Sequence, residues 1–515
     1  MSSWWRDAVV YQVYVRSFAD SDGDGIGDLP GITSHLQHVA DMGADAVWLT
    51  PFFTSPMADH GYDVADYEDV DPLFGSLADF DTLLSEAHRL GLKVIVDLVP
   101  NHTSEKHPWF VEHPDRYLIR PASPEPPNNW TSVFGGGAWS RLPSGEWYLH
   151  IFAPQQPDVD WRNPAIHQEW EGILRFWLDR GVDGFRIDVA HGLYKDEQLR
   201  DNPPGLVGGI GADLDAIDSP YIWDQPETLK VYERWRQITD EYDERLMVGE
   251  VFLKDLSRVA RYVHHSRLHQ AFNFLIMSKP FDAAVLLPVL KESIARFGDS
   301  PTWVLSNHDL VRQTTRYGGG EVGRRRATAM TALLMGLPGS PYLYQGEELG
   351  LEQSYVPPEL RQDPAWFNSG KTVEGRDGCR TPIPWDGSAG HGFTTGKPWL
   401  PFGKDGTSVA AQSADPRSVL ALYREVIALR RSLRDQLSRE VEWLAAPAGV
   451  LGFTRSCGGG ALMCLMSAGA TRPVVVPLPT GSWQVLLDTT GSAALQDGGI
   501  VVQPDSTVWL RSADR

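Results

Sequence analysis

The sequence predicts an α/β chain built on an eightfold β/α (TIM) barrel, with an inserted subdomain after the third strand and an antiparallel β-domain at the carboxyl-terminal end. Three observations carry that prediction. Short apolar runs alternate with longer helical patterns, the rhythm of parallel strands joined by right-handed crossovers. Eight such runs can be picked out, which suits a barrel better than a doubly wound sheet. Three of them lead into acidic residues: Asp188 closes 184–187, Glu250 closes 246–249, and Asp309 follows 303–308. A carboxylate ending a hydrophobic strand is costly to bury unless it is paired or working. Several of them, on strands far apart in sequence, point to the carboxyl-terminal mouth of a parallel barrel.

Residues 9–15 and 46–49 read as the first two strands, separated by the amphipathic run 32–42. The third, 94–98, follows a helical stretch at 77–90 that stops at Gly91. After His102 the rhythm breaks. Residues 103–168, rich in Pro, Gly, Trp and His, are too long for an ordinary connection and read as an inserted subdomain. The rhythm resumes with a helix at 164–180, ended near Gly181, and the strand reaching Asp188. Further strands are expected at 247–250, 271–275, 302–306 and 340–344, the sixth having the weakest pattern. The barrel is thus assigned 1–102 and 169–435, with 351–410 as an extended loop region above it. A helix at 419–433 leads into β-patterned runs at 450–453, 461–465, 474–478, 485–487 and 500–510, a separate β-domain over 436–515.

With 515 residues, 42% of them hydrophobic, the chain can bury a large core and exceeds one ordinary domain. Its formal net charge of -21 argues against nonspecific binding to nucleic acid or an anionic membrane, and fits a neutral substrate or bound cations. Arg324, Arg325 and Arg326 read as a solvated helix face. Cys379, Cys457 and Cys464 are too few and too irregularly spaced for a disulfide framework or a thiolate metal site. They are compatible with a reducing compartment and leave a Cys457–Cys464 bridge open. No signal peptide and no eighteen-residue apolar stretch is visible, so the cytoplasm is the default expectation.

The segment from Asp20 to Asp28 alternates acidic residues with glycines that permit sharp turns, as calcium-binding loops do. Asp20, Asp22, Asp24 and Asp28 are the side-chain ligand candidates, with the Ile26 carbonyl as a fifth. The alternative reading is a solvated acidic turn.

Further blocks are Tyr11 to Phe18, Gly61-Tyr62-Asp63, Asp97 to His102, Gly184 to Ala190, Gly249-Glu250, Ser306 to Asp309 and Arg376 to Pro382. In this order and spacing the chain resembles, over nearly its whole length, the α-amylase superfamily of retaining glycoside hydrolases, on its α-glucosidase and oligo-1,6-glucosidase branch. The resemblance implies that Asp188 is the nucleophile and Glu250 the general acid and then base. It makes Asp309 the third essential carboxylate, holding the sugar's O2 and O3 hydroxyls, with His102 and His308 as neutral partners in the same subsite. Arg186 would keep the nucleophile ionised. Asp63 and Arg376 would pair around the outer hydroxyls of the nonreducing glucose, with Tyr62 as a stacking platform below it.

In the resembling family the acidic loop carries a structural Ca²⁺ or Mg²⁺, and no organic cofactor is implied. Val189 goes there with acceptance of α-1,6 linkages, where strict maltases more usually have Thr. Asp160 reads as structural, and 318–321 as a loop that reshapes the pocket entrance. The expected activity is that of an exo-acting retaining α-glucosidase, cleaving terminal α-1,4 or α-1,6 bonds of short α-glucosides such as maltose, isomaltose, maltooligosaccharides, sucrose or trehalose. A monomer or homodimer is expected. The alternative within enzymes is a transglucosidase or a trehalose synthase-like isomerase. A noncatalytic carbohydrate-binding or transporter-associated relative is disfavoured by the three intact carboxylates.

Overall fold

Short runs of Val, Ile, Leu and aromatic residues, buried along almost their whole length, become strands because both faces are covered. The computed structural model describes residues 3–206, 218–298, 300–403 and 406–512. In chain order the barrel strands are β1 (Val10–Val13), β2 (Ala46–Leu49), β3 (Lys93–Leu98), β4 (Gly184–Ile187), β5 (Leu246–Gly249), β6 (Gln270–Ala271), β7 (Thr302–Val304) and β8 (Ser340–Tyr344). Their lateral order is β6-β5-β4-β3-β2-β1-β8-β7, and every ladder between them is parallel. A side chain closes the remaining junction. Thr302 Oγ1 donates to the Ala271 carbonyl at 2.8 Å and accepts from the Asn273 amide at 3.2 Å, bridging β6 and β7.

The barrel interior is a small apolar plug that includes Val10, Trp48, Ile95, Val248, Phe272 and Tyr342. The surrounding helices pack on the outer face in the larger core. Their ends follow local chemistry. Ser76 and Asp79 form a reciprocal capping box at the start of Leu77–Arg89. Asn163 and Pro164 open Pro164–Arg180, and Gly181, at φ 105°, ends it in the left-handed conformation.

The sixth run is much shorter than expected. It ends at Ala271 because the Asn273 side chain accepts from the Leu275 amide, turning the chain into a 3₁₀ helix at Leu275–Ser278. The expected 500–510 run is split into Gly499–Val502 and Ser506–Ser512 by a turn at Asp505, whose φ is 54°. Residues 318–321 do not reshape the pocket. They open the helix Gly320–Gly336, and the Gly320 amide is tied to Glu352.

Between β3 and Pro164 the chain forms a three-stranded antiparallel sheet of Ile119–Arg120, Trp147–Leu149 and Trp139–Arg141. A buried ion pair joins this segment to the loop after β4: Lys195 Nζ lies 2.6 Å from Asp158, and Asn101 bonds to both. Asp160, read from sequence as structural, accepts from the Arg162 amide through its carboxylate.

At the carboxyl-terminal end, a five-stranded and a three-stranded antiparallel sheet enclose a core of Val450, Met463, Leu465, Ile500, Val508 and Leu510. They dock on the helix Gly320–Gly336 through Trp509 Nε1 to the Ala332 carbonyl, Thr507 to Ala329 and Arg455 to Gly336. All three cysteines are free and buried, which closes the question of a Cys457–Cys464 bridge. Among the described residues no helix is long and apolar enough to cross a membrane.

Candidate active site

Strands β3, β4, β5 and the segment after β7 bring Asp97, Arg186, Asp188, Glu250 and Asp309 to one end of the barrel. Arg186, 1% exposed, is the hub. Its Nη1 donates to both oxygens of Asp97, at 2.8 and 3.0 Å, and to Asp188 Oδ1 at 2.7 Å. Its Nη2 lies 2.9 Å from Glu250 Oε2. Residues 186 and 188 are two apart on an extended chain and so reach the same side. Val189 then turns with φ 44°, a left-handed backbone that a β-branched residue adopts only when its surroundings impose it. The turn aims the Val189 amide at Glu250 Oε2, 3.1 Å away, and so couples the two strand ends.

Three carboxylates share one guanidinium, and the protonation equilibria show it. Burial pushes Asp97 up to about 7 and also raises Asp188, with Glu250 and Asp97 adding to the rise; Arg186 opposes both shifts without cancelling them. Asp309 goes the other way. Burial disfavours its charge, but His308, Arg376 and Arg380 together hold it well below the ordinary carboxylate range. Arg376 Nη1 and Arg380 Nη2 bond to Asp309 Oδ1 at 3.1 and 3.0 Å.

A continuous chain of hydrogen bonds runs behind these groups. With the Gln12 amide nitrogen donating to Nδ1 at 2.7 Å, the His308 ring carries its proton on Nε2. Tyr62 Oη sits 2.7 Å from that nitrogen and donates to Asp97 at 3.0 Å. Tyr62 also stacks on His308, rings 5.3 Å apart and 6° from parallel. His102 lies beside Gln156 and the Tyr62 carbonyl. Burial drives His102 down to about 4 and His308 well below its usual value, so both rings are neutral hydrogen-bonding groups.

The expected pairing of Asp63 with Arg376 is not what the structure contains. Arg376 is held by Asp59 at 2.6 Å and Asp363 at 2.7 Å as well as by Asp309. Asp63 is fully buried behind them, its carboxylate accepting from Ser55 Oγ and from the amides of Ala58 and Asp59. Three local donors make it the clasp of the 55–63 loop, while the intervening turn sends Asp59 toward the guanidinium. Asp59→Asn is expected to lower kcat/KM about 10²-fold with little change in Tm. Asp63→Asn, which sets an amide against the Ala58 N–H, is expected to do the reverse, with a stability loss of about 1–3 kcal/mol. Steady-state kinetics and thermal melts on the two variants check this, and the opposite pattern would restore Asp63 to the sugar contact.

Of these groups, Asp59, Tyr62, His102, Asp188, Val189, Glu250, His308, Asp309 and Arg376 line one pocket of about 170 Å³. Its polar lining includes Asp59, Asp309 and Arg376, and its apolar lining Val133, Phe134, Phe152, Trp223, Phe252 and Leu310. Asp59, Asp363, Arg380 and these apolar residues carried no clear mark in the sequence. Only the acidic residue two positions before Gly61-Tyr62-Asp63 offered a signal, since the others stand in loops without periodicity.

The acidic loop lies apart from this pocket. One carboxylate oxygen from each of Asp20, Asp22 and Asp28 falls within 4.8 Å of the others, an all-oxygen set that fits a hard divalent cation. Asp24 is outside that trio, accepting from the Ile26 amide. Asp28 also caps the helix Leu29–Asp41 through Gly31.

The α-amylase catalytic-domain profile matches residues 12–439. A probable α-glucosidase of Rhizobium meliloti (strain 1021) is 42% identical over 490 residues, covering 90% of this chain and 89% of that protein. An oligo-1,6-glucosidase of Parageobacillus thermoglucosidasius is 36% identical over 476 residues, covering 83% and 84%. Among solved structures, that of the α-glucosyl transfer enzyme XgtA is similar with a TM-score of 0.90 and 39% identity, both chains covered in full. On the barrel, the carboxylate hub at its mouth and these similarities, the chain belongs to the α-amylase family of glycoside hydrolases, in the branch that holds α-glucosidases and oligo-1,6-glucosidases.

Proposed function

We propose that the protein is an exo-acting retaining α-glucosidase that removes one terminal glucose from short α-1,4- or α-1,6-glucosides. The observation that carries this reading is the fixed guanidinium in the pocket lining. Arg376, held by Asp59, Asp363 and Asp309, is suited to bind the outer hydroxyls of a terminal glucose and to bar a continuing chain. In the first step the Asp188 carboxylate attacks the anomeric carbon as Glu250 protonates the departing oxygen, giving a β-glucosyl ester. Glu250 then takes a proton from water, which attacks the same carbon and expels Asp188, releasing α-D-glucose. Asp309, kept ionised by two guanidiniums, accepts from the ring hydroxyls, and the neutral His102 and His308 bond to the same sugar.

Val189 sits in the pocket wall beside both reacting carboxylates, where the resemblance connects it with α-1,6 acceptance. Replacing Val by Thr there is expected to move the maltose-to-isomaltose ratio of kcat/KM roughly 10-fold toward maltose, the scale of one methyl-for-hydroxyl change. The main test is NMR of product configuration and size on maltose, isomaltose, sucrose and trehalose. Prompt α-glucose supports the hydrolase; β-glucose first, or no turnover at all, overturns it.

A second reading, glucosyl transfer, is favoured by the apolar lining of Val133, Phe134, Phe152, Trp223, Phe252 and Leu310. Such a lining would seat a sugar acceptor and shed water. It predicts new disaccharides at high substrate with little free glucose.

Asp20, Asp22 and Asp28, with Asp24 and the Ile26 carbonyl nearby in the loop, would hold a structural Ca²⁺. Bound there, the ion would supply counter-charge to the loop and no chemistry. Chelation is expected to lower Tm by several degrees, reversed by Ca²⁺, without altering kcat of the enzyme that remains folded. Three buried, unpaired cysteines support residence in a reducing cytoplasm.

A further inference from the structure

Behind His308 and Asp309, on the side away from the pocket, the protein buries an unbalanced set of donors. Tyr14 and Arg16 follow β1, His60 comes from the 55–63 loop, Arg380 from the segment after Cys379, and Trp399 covers them. Tyr14, Arg16, His60 and Arg380 are 1%, 6%, 6% and 0% exposed. Yet among the described residues Tyr14 Oη, Arg16 Nε and Nη1, both ring nitrogens of His60 and Arg380 Nη1 have no hydrogen-bond partner. They lie around two aromatic faces. The Arg16 guanidinium is 4.5 Å from the Trp399 ring, His60 is 5.3 Å and Tyr14 6.3 Å from it, and Arg380 is 5.2 Å from the Tyr14 ring.

The charges do not balance by direct contact. Arg376 is engaged by Asp59, Asp309 and Asp363, and Arg380 bonds to Asp309 and the His308 carbonyl. Among the described residues Arg16 forms no ion pair. The acids whose charge reaches it, Asp24 and Asp63, are engaged elsewhere, Asp24 by the Ile26 amide and Asp63 by its own loop. A guanidinium cannot shed its proton, and an isolated buried cation is far costlier than an unsatisfied neutral group. Water would satisfy the donors but not the charge. His60, moreover, holds φ 54°, an uncommon backbone that turns its ring inward while Asp59 reaches Arg376.

We propose that Tyr14, Arg16, His60 and Arg380 form a buried site for a small monovalent anion, of which chloride is the physiological case. The unpartnered donors are gathered around two rings and almost wholly buried, a setting that suits a single-charge halide better than a phosphate or a sugar carboxylate. An anion there pairs with Arg16 and shares Arg380 with Asp309, so the site braces the wall of the sugar pocket from behind. It is independent of which α-glucoside is cleaved.

The test is made on the full-length protein dialysed into chloride-free gluconate. At constant ionic strength, bromide and chloride are expected to raise Tm saturably, and bromide-soaked crystals to give an anomalous peak within contact of Arg16 and His60. In Arg16→Met both signals are expected to vanish, and in Arg16→Lys the Tm response to weaken. A Tm that does not respond to halide, with no bromide peak among these four side chains and water in their midst, would overturn the proposal. If Arg16→Met does not fold, the wild-type diffraction and titration decide by themselves.

Discussion

Replacing Asp188 by Ala is expected to lower kcat/KM by ~10⁴-fold or more while leaving the protein as stable as before or slightly more so. The two effects separate because Asp188 is crowded. Burial and the neighbouring Glu250 and Asp97 all oppose its charge, so its removal relieves repulsion around Arg186. Exogenous azide should enter the space left by the carboxylate and attack from the same face, restoring turnover and yielding β-glucosyl azide. Glu250→Ala should behave differently. Substrates with good leaving groups still form the ester, and azide then displaces Asp188 to give α-glucosyl azide. Product NMR distinguishes the two anomers. An Asp188→Ala enzyme within tenfold of wild type, or the same azide anomer from both variants, would remove the assignment of nucleophile and acid.

Arg186 is the second large effect. Arg186→Met leaves Asp97, Asp188 and Glu250 facing each other without a cation and is expected to cost about 3–5 kcal/mol of stability. Arg186→Lys keeps the charge but loses the planar fork whose two nitrogens serve three carboxylates. A loss of ~10³ in kcat/KM is expected, together with an acid limb of the pH profile displaced upward. The sign follows from the cation's role: Arg186 lowers the pKa of Asp97 and Asp188, so weakening it raises both and postpones ionisation to higher pH. A lysine variant with an unshifted profile would mean that Arg186 only supports the fold.

The carboxylates assigned to the reaction could be read from sequence because each ends an apolar run, where an ionisable residue conflicts with its neighbours. The helices were legible for a similar reason. Asn163-Pro164 and Gly181 mark their own boundary, and the observed helix is Pro164–Arg180. Asp59 was not legible, because nothing in the 55–63 loop distinguishes the acid that reaches Arg376 from the acid four residues on that ties the loop together. Only the turn through His60, at φ 54°, separates Asp59 from Asp63. Asp363 was hidden in the aperiodic 351–410 stretch, thirteen residues before the arginine it holds. The sixth strand, reduced to Gln270–Ala271, is too short for any alternating pattern to form.

The hydroxyl junction between β6 and β7 makes the barrel an unequal ring. Every other neighbouring pair is joined by a row of amide hydrogen bonds, whereas here two bonds through Thr302 Oγ1 link the staves. Local opening takes the path that breaks the fewest interactions, so thermal breathing begins along this meridian. Asp97, Asp188 and Glu250 stand on the continuous arc from β3 to β5 and keep their common guanidinium through such an excursion. Asp309 follows β7 and is displaced with the loose edge. Activity is therefore expected to fall at a lower temperature than the Tm, as a single carboxylate moves away from an otherwise assembled trio.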